Sequence, residues 1–192
     1  MHSSLLTRHL LHLLCTLIAF NLAAEPFSVG TRTDIIPERG EVIYNVVRTS
    51  RNEFSFLPPS GWKAETDAKA GTITWTSADY RSTIRLKITD DNGDQTPKLG
   101  TEELRLIVTT ELPDAKITGE LPCYTSGASG LAFDSERVIE NKFRVTTRLA
   151  FVPVPGGTVQ FQLSSPKEMF APKEREFSRL MSSFRAEKTS TK

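Results

Sequence analysis

The chain has 192 residues with 24 basic and 23 acidic side chains, a formal net charge of +1. With charge so nearly balanced and no basic run, nothing concentrates enough Lys and Arg to hold a phosphate backbone, which excludes nucleic acid as a partner. Two cysteines and three histidines are its whole stock of soft metal-ligating chemistry.

The N-terminus reads as an export signal. Arg8 is the only charged side chain in Met1–Ala24, Leu10–Leu22 is dominated by Leu, Ile, Phe and Ala, and Ala23-Ala24 precedes the polar Glu25-Pro26. A basic head, a short apolar run and a small-residue exit match a cleavable peptide cut after Ala24, which places the product in the periplasm or outside the cell. An uncleaved anchor is disfavoured, because the run falls short of the roughly 20 apolar residues a bilayer helix needs and His12 and Asn21 interrupt it. His12 and Leu14 are also poor neighbours for lipoprotein processing at Cys15. No later apolar run is long enough to span a membrane.

Cleavage removes His2, His9, His12, Cys15 and Arg8, leaving 23 charges of each sign, no histidine and Cys123 alone. No imidazole means no Ser-His-Asp or Cys-His machinery and no imidazole metal site. One cysteine closes no intramolecular disulfide, and Cys123 beside Leu121 is expected to be a buried small apolar side chain. No cofactor is implied.

Glu25–Gly40 is polar and punctuated by Gly30, Pro37 and Gly40, so residues 25–51 read as a leader or linker, with a candidate first strand at Val42-Ile43-Tyr44 and Val46-Val47. In FSFLPPSGWK, Phe54 and Phe56 share one strand face. Pro58-Pro59 ends the pairing, Gly61 permits a reversal, and Trp62 is placed to fold over the open end of the core. Thr72–Thr76 carries Ile73 and Trp75. Ser82–Thr89 alternates Ile84, Leu86 and Ile88 against Arg85 and Lys87. After a loop over 90–100, Thr101 is placed as the N-cap of a helix with Glu102 and Glu103 in its first turn, and Leu104, Ile107, Val108 and Leu112 recur at helical spacing. The same run also alternates as Leu104-Leu106-Val108, a strand pattern.

Leu131–Leu163 reads as three antiparallel strands. A three-residue turn at Glu140-Asn141-Lys142 sets Ile139 against Phe143, Phe133 against Leu149, Leu131 against Phe151 and Asp134 against Arg148. A two-residue turn would instead press Asp134 and Glu136 against the apolar Val145–Phe151 row. Pro155-Gly156-Gly157 makes the next reversal. Ser165-Pro166-Lys167-Glu168 has the form of a capping box, and Pro172 opens a closing helix with Phe177, Leu180, Met181 and Phe184 on one stripe. Residues 187–192 read as a frayed tail.

Two carboxylate groupings carry candidate chemistry. Asp90, Asn92 and Asp94 alternate as in the first part of an EF-hand loop, a calcium arrangement. Gly93, Gln95 and Thr101 then occupy positions that break the template, and Asp and Gly are ordinary turn residues, so the turn reading is preferred. Asp134 and Glu136 share a strand face and would serve a carboxylate-dependent hydrolase, but Arg144 and Arg148 on the neighbouring strand make cross-strand ion pairs the simpler account. Gly127-Ala128-Ser129-Gly130 lacks the lysine and following helix of a phosphate loop; together with Pro122, Cys123 and Tyr124 it reads as a flexible connection.

The order of these pieces, FSFLPPSGWK, a strand pair, a helix, FRVTTRLAFVPVPGGTVQFQLSSP and the closing EFSRLMSSF, resembles the PsbP-like family, which includes the extrinsic photosystem II subunit and many exported bacterial proteins. The similarity spans roughly Asn52–Ala186. It implies an α+β fold, a central antiparallel sheet with helices packed on both faces as an α/β/α sandwich. Family members are mostly non-enzymatic binding or assembly factors, with no catalytic motif to carry over, and nothing in these residues transfers the photosystem role. The expectation is an exported, non-catalytic domain whose partner is an envelope or extracellular protein or a small ligand. The rivals are a carboxylate-dependent hydrolase using Asp or Glu from the Asp90–Asp94 loop or the Asp134 strand, and a calcium-stabilised structural domain.

Overall fold

In the computed structural model the described residues are 27–38, 40–90, 95–98, 100–140 and 142–187. The signal segment 1–24, Asn92 and Asp94 of the calcium reading, Asn141 of the hairpin turn and the tail from 188 onward lie outside them.

Among the described residues the strands form two antiparallel sheets, most of them alternating apolar and polar residues. The smaller has the order β1-β2-β3-β11, from β1 (Phe27–Ile36), β2 (Gly40–Thr49), β3 (Glu53–Phe56) and β11 (Arg185–Glu187). The larger has the order β4-β5-β6-β10-β9-β8-β7. Its first half comprises β4 (Lys63–Asp67), β5 (Thr72–Thr76) and β6 (Thr83–Asp90), and its second half β7 (Lys116–Tyr124), β8 (Ser129–Ile139), β9 (Phe143–Val154) and β10 (Gly157–Pro166). Helix α1 (Thr101–Glu111) carries the chain from β6 to the far edge at β7, and the meander returns until β10 pairs with β6. Helix α2 (Phe170–Ser183) follows a 3-10 turn at Lys167–Met169.

The β8–β9 register is the expected one at every named pair: Ile139 with Phe143, Asp134 with Arg148, Phe133 with Leu149 and Leu131 with Phe151. It is fixed because a slip by one residue would turn every buried side chain outward. On β9, Leu149 and Phe151 pack with Phe133 of β8 and with Leu104 and Val108 of α1. The alternate residues Ala150 and Val152 join a second cluster that holds Phe177, Leu180 and Met181 of α2 together with Phe54 and Phe56 of β3. Phe184 is the hinge of that cluster, stacked on Phe54 at 5.3 Å and meeting Phe161 edge-on at 5.1 Å. The strand pattern in the Leu104 run is thus resolved as helix.

The Pro58-Pro59 corner docks on α2. The Leu57 amide donates to Ser183 Oγ at 2.9 Å, and Gly61 takes φ 77°, the left-handed region open to glycine. Trp62 is half-buried against the core; its indole N–H donates to Glu176, and the Lys173 ammonium lies 4.9 Å from the ring centroid. Such a cation over an indole contributes about 0.5–1 kcal/mol where water reaches it.

Several expectations are corrected. Residues 27–49 are not a linker but a ten-by-ten-residue hairpin, β1 with β2. Their charges look solvated in sequence because they are satisfied by partners far along the chain. Glu187 is not frayed: it ends β11, which pairs with β3. Thr101 is the first helical residue of α1 rather than its cap; Gly100 takes the cap position without a side-chain bond. The Ser165 box does not form, since Ser165 is buried against Ser82, with the two Oγ atoms 2.9 Å apart, and only the 3-10 turn follows. α2 starts at Phe170, leaving Pro172 inside its first turn, where no amide donor is needed. Pro122, Cys123 and Tyr124 belong to β7, so the connection to β8 is only Thr125–Ala128; β7 is an edge strand, which tolerates Pro122.

Candidate functional site

The β8–β9 ladder brings the candidate acids to strong partners. Arg148 grips Asp134 with both arms of its guanidinium, Nε to Oδ1 at 2.7 Å and Nη2 to Oδ2 at 2.8 Å, while Nη1 reaches Glu174 of α2. The arginine side chain is 13% exposed, and its own stem and plane lie over Phe170, with 5.6 Å between guanidinium carbon and ring centroid. These carboxylates hold its pKa above the ordinary arginine value, the hydrogen bond to Asp134 being the largest cause. Glu136 pairs with Lys167 at 2.7 Å, not with the expected Arg144. Arg144 stands opposite Val138, two pairs further along the ladder, and the lysine that follows Pro166 reaches Glu136 directly. Asp90 accepts from Ser50 Oγ at 3.1 Å, which ties the end of β6 to the β2–β3 turn. Among the described residues no group of three His, Cys, Asp or Glu side chains is placed to hold a metal.

Cys123 is buried, with its sulfur 3.9 Å from the Phe151 carbonyl oxygen. Burial pushes its thiol up to about 11, so at neutral pH it stays protonated and unreactive. Among the described residues the acids with displaced pKa values, Asp79 and Glu187, are both displaced downward, chiefly by hydrogen bonds to Ser77 and to Arg32 respectively. Neither is poised as a general acid.

A groove of about 590 Å³ lies where the two sheets part. Its walls are the Thr125–Ala128 turn on one side, Val154-Pro155 at the β9–β10 turn, and Phe184 and Ala186 entering β11. Hydrogen bonds tie its walls together: the Ser126 amide donates to the Phe184 carbonyl at 2.9 Å, and the Asn52 side-chain Nδ2 to the Pro155 carbonyl at 3.0 Å. A largely apolar cleft with polar groups such as Asn52, Thr125 and Ser126 along its walls is suited to holding a side chain or a small molecule. Sequence reasoning did not assemble it, because its walls come from four turns or strand ends scattered from residue 51 to residue 187; only the glycine and serine run at 126–130 marked one of them.

Among the described residues a mainly antiparallel framework of two sheets with two helices defines an α+β protein. The chain has the PsbP-like fold. The solution structure of cyanobacterial PsbP (CyanoP) from Synechocystis is similar to it at a TM-score of 0.51 and 17% identity, over 70% of this chain and 86% of that one. LpqN of Mycobacterium tuberculosis, described as involved in cell envelope biogenesis, gives 0.48 and 12% over 82% of this chain and 91% of its own. A protein from Bacteroides thetaiotaomicron gives 0.49 and 18% over 72% of this chain, which spans 47% of that larger one. No family model and no curated protein matches the sequence.

Proposed function

We propose that the chain is an exported, non-catalytic domain that binds a protein partner or small ligand outside the cytoplasm, with residues 1–24 removed after Ala24 and an α/β/α sandwich as its body. One observation carries the reading: Asp134, the best placed acid of a carboxylate hydrolase, is locked in a bidentate pair with Arg148, which also holds Glu174. With both oxygens bound to one guanidinium, this acid is held in a structural ion pair and does not stand free to meet a substrate. The groove between the sheets supplies the binding surface.

Two measurements made together test this. A photo-crosslinking side chain at Ala128 in the groove should capture a specific envelope component, whereas the same group at the exposed Leu106 of α1 should not. A panel of ester and glycoside substrates should show no turnover. Turnover that Asp134→Asn abolishes would sink the proposal and install the hydrolase.

A further inference from the structure

At the opposite end of β9 from the groove, a second cavity of about 450 Å³ has a different character. Three cations line it, Arg81, Lys142 and Arg144, against a single acid, Glu168. Glu168 is already taken, accepting from Arg81 Nη2 at 3.0 Å. Lys142 and Arg144 have no ion-pair partner among the described residues, although the chain as a whole has nearly one acid for each base. Arg32, Arg48, Arg85, Arg105, Arg148 and Lys167 each meet a carboxylate, whereas Lys142 and Arg144 stand together at one cavity without one among the described residues. Concentrated positive charge in a concave site focuses the field and raises the local concentration of anions.

The remaining lining is apolar. Phe143 lies 61% exposed at the mouth, beside Val145 and Pro166. An aromatic ring left in water beside unpaired guanidinium and ammonium groups is complementary to a flat apolar body bearing an anionic head.

The walls are held in place before any ligand arrives. Arg81 is presented by the turn between β5 and β6, where the Ser77 amide donates to the Ser82 carbonyl at 2.9 Å and the Ser82 amide to Ser77 Oγ at 3.0 Å. Asp79 accepts from the Arg81 amide at 3.2 Å. Both serines are buried, and the contact between Ser82 and Ser165 Oγ fixes this turn to the end of β10, next to Pro166. Tyr80 is kept at φ 59°, an uncommon conformation for a bulky residue that surrounding structure must impose. Across the cavity the Lys142 amide closes the β8–β9 turn on the Ile139 carbonyl at 3.1 Å. Preorganised walls spare a ligand the entropy of ordering them.

We infer that this cavity is a binding site for a small amphipathic anion, a carboxylate or phosphate head on a flat apolar body, with Arg81, Lys142 and Arg144 holding the head and Phe143 the body. The site is independent of the groove and of what binds there.

The full chain, expressed with its own export segment and isotope-labelled, is titrated with naphthoate and separately with inorganic phosphate, and amide shifts are mapped. Naphthoate should move amides at 81, 142–145 and 167–168. The variant Lys142→Gln/Arg144→Gln, whose unchanged remaining spectrum shows that it folds, should bind about tenfold more weakly or less. Phe143→Ala should weaken naphthoate and leave phosphate unaffected. Lys87→Gln, a cation on another surface, should change nothing. Sedimentation with phosphatidylglycerol vesicles, absent with phosphatidylcholine and lost in the double variant, would assign the anion to a lipid headgroup; naphthoate binding without vesicle association assigns it to a soluble metabolite. Phosphate binding as tightly as naphthoate, a double variant within about twofold of the parent, or shifts centred on Lys87 would each overturn the inference.

Discussion

Glu187 offers the sharpest test of how the small sheet is held. Arg32 of β1 donates to it through Nη1 and Nη2, each at 2.7 Å, and Ser55 Oγ donates at 2.6 Å. These bonds, that from Arg32 foremost, hold its carboxyl at about 2 against an ordinary 4.5. Undiscounted, that difference corresponds to about 3 kcal/mol of folded-state stabilisation at neutral pH. The side chains of Arg32 and Glu187 are 33% and 27% exposed, so solvent screening brings the expected contribution to about 1–2 kcal/mol. Because the folded value is depressed, the contribution is complete above 4.5 and disappears as pH falls from there through about 2. Urea unfolding of the parent and Glu187→Gln, followed by tryptophan fluorescence, should give a gap of about 1–2 kcal/mol near neutrality that closes across this window. A gap that is absent at neutral pH, or one that persists unchanged in acid, would show that the network does not act as described.

Replacing Arg148 with Met should cost about 2–4 kcal/mol, since Asp134 and Glu174 are left as adjacent unpaired carboxylates, and a double-mutant cycle with Asp134→Asn should recover a coupling of about 1–3 kcal/mol. Gly130→Ala should destabilise by roughly 2 kcal/mol or more, because a Cβ built there would stand 1.9 Å from the Phe151 carbonyl oxygen and the β8–β9 ladder would have to spread; a thermal shift under about 2 °C would refute this. Chelation of divalent cations should leave the melting temperature unchanged, and a fall would restore the calcium reading of Asp90, Asn92 and Asp94.

What was legible in the sequence was what local alternation determines. The hairpin register followed from Phe133, Leu149 and Phe151, whose burial leaves no second solution, and the same register delivered the Asp134–Arg148 pair. What was hidden depends on partners distant in sequence. β1 looked like a polar linker because Arg32 and Asp34, besides pairing with each other, find further counter-charges in Glu187 and Arg185, about 150 residues away. β4 is exposed along its whole length and joins the sheet through its backbone, so Lys63–Asp67 shows no apolar period. The groove and the cationic cavity were illegible for a related reason: turn residues line both, and spacing along the chain says nothing of which turns meet.

The place of β11 in the small sheet bears on how the molecule comes to exist. Until Arg185–Glu187 have been synthesised and delivered, β3 lacks its outer neighbour and Arg32 the bidentate carboxylate of Glu187. A chain emerging in order therefore finishes the large meander early and waits, with the first hairpin incompletely anchored, for its far end to arrive. Closure across so long a loop is slow relative to hairpin formation, which makes the joining of the two ends the natural late step of assembly.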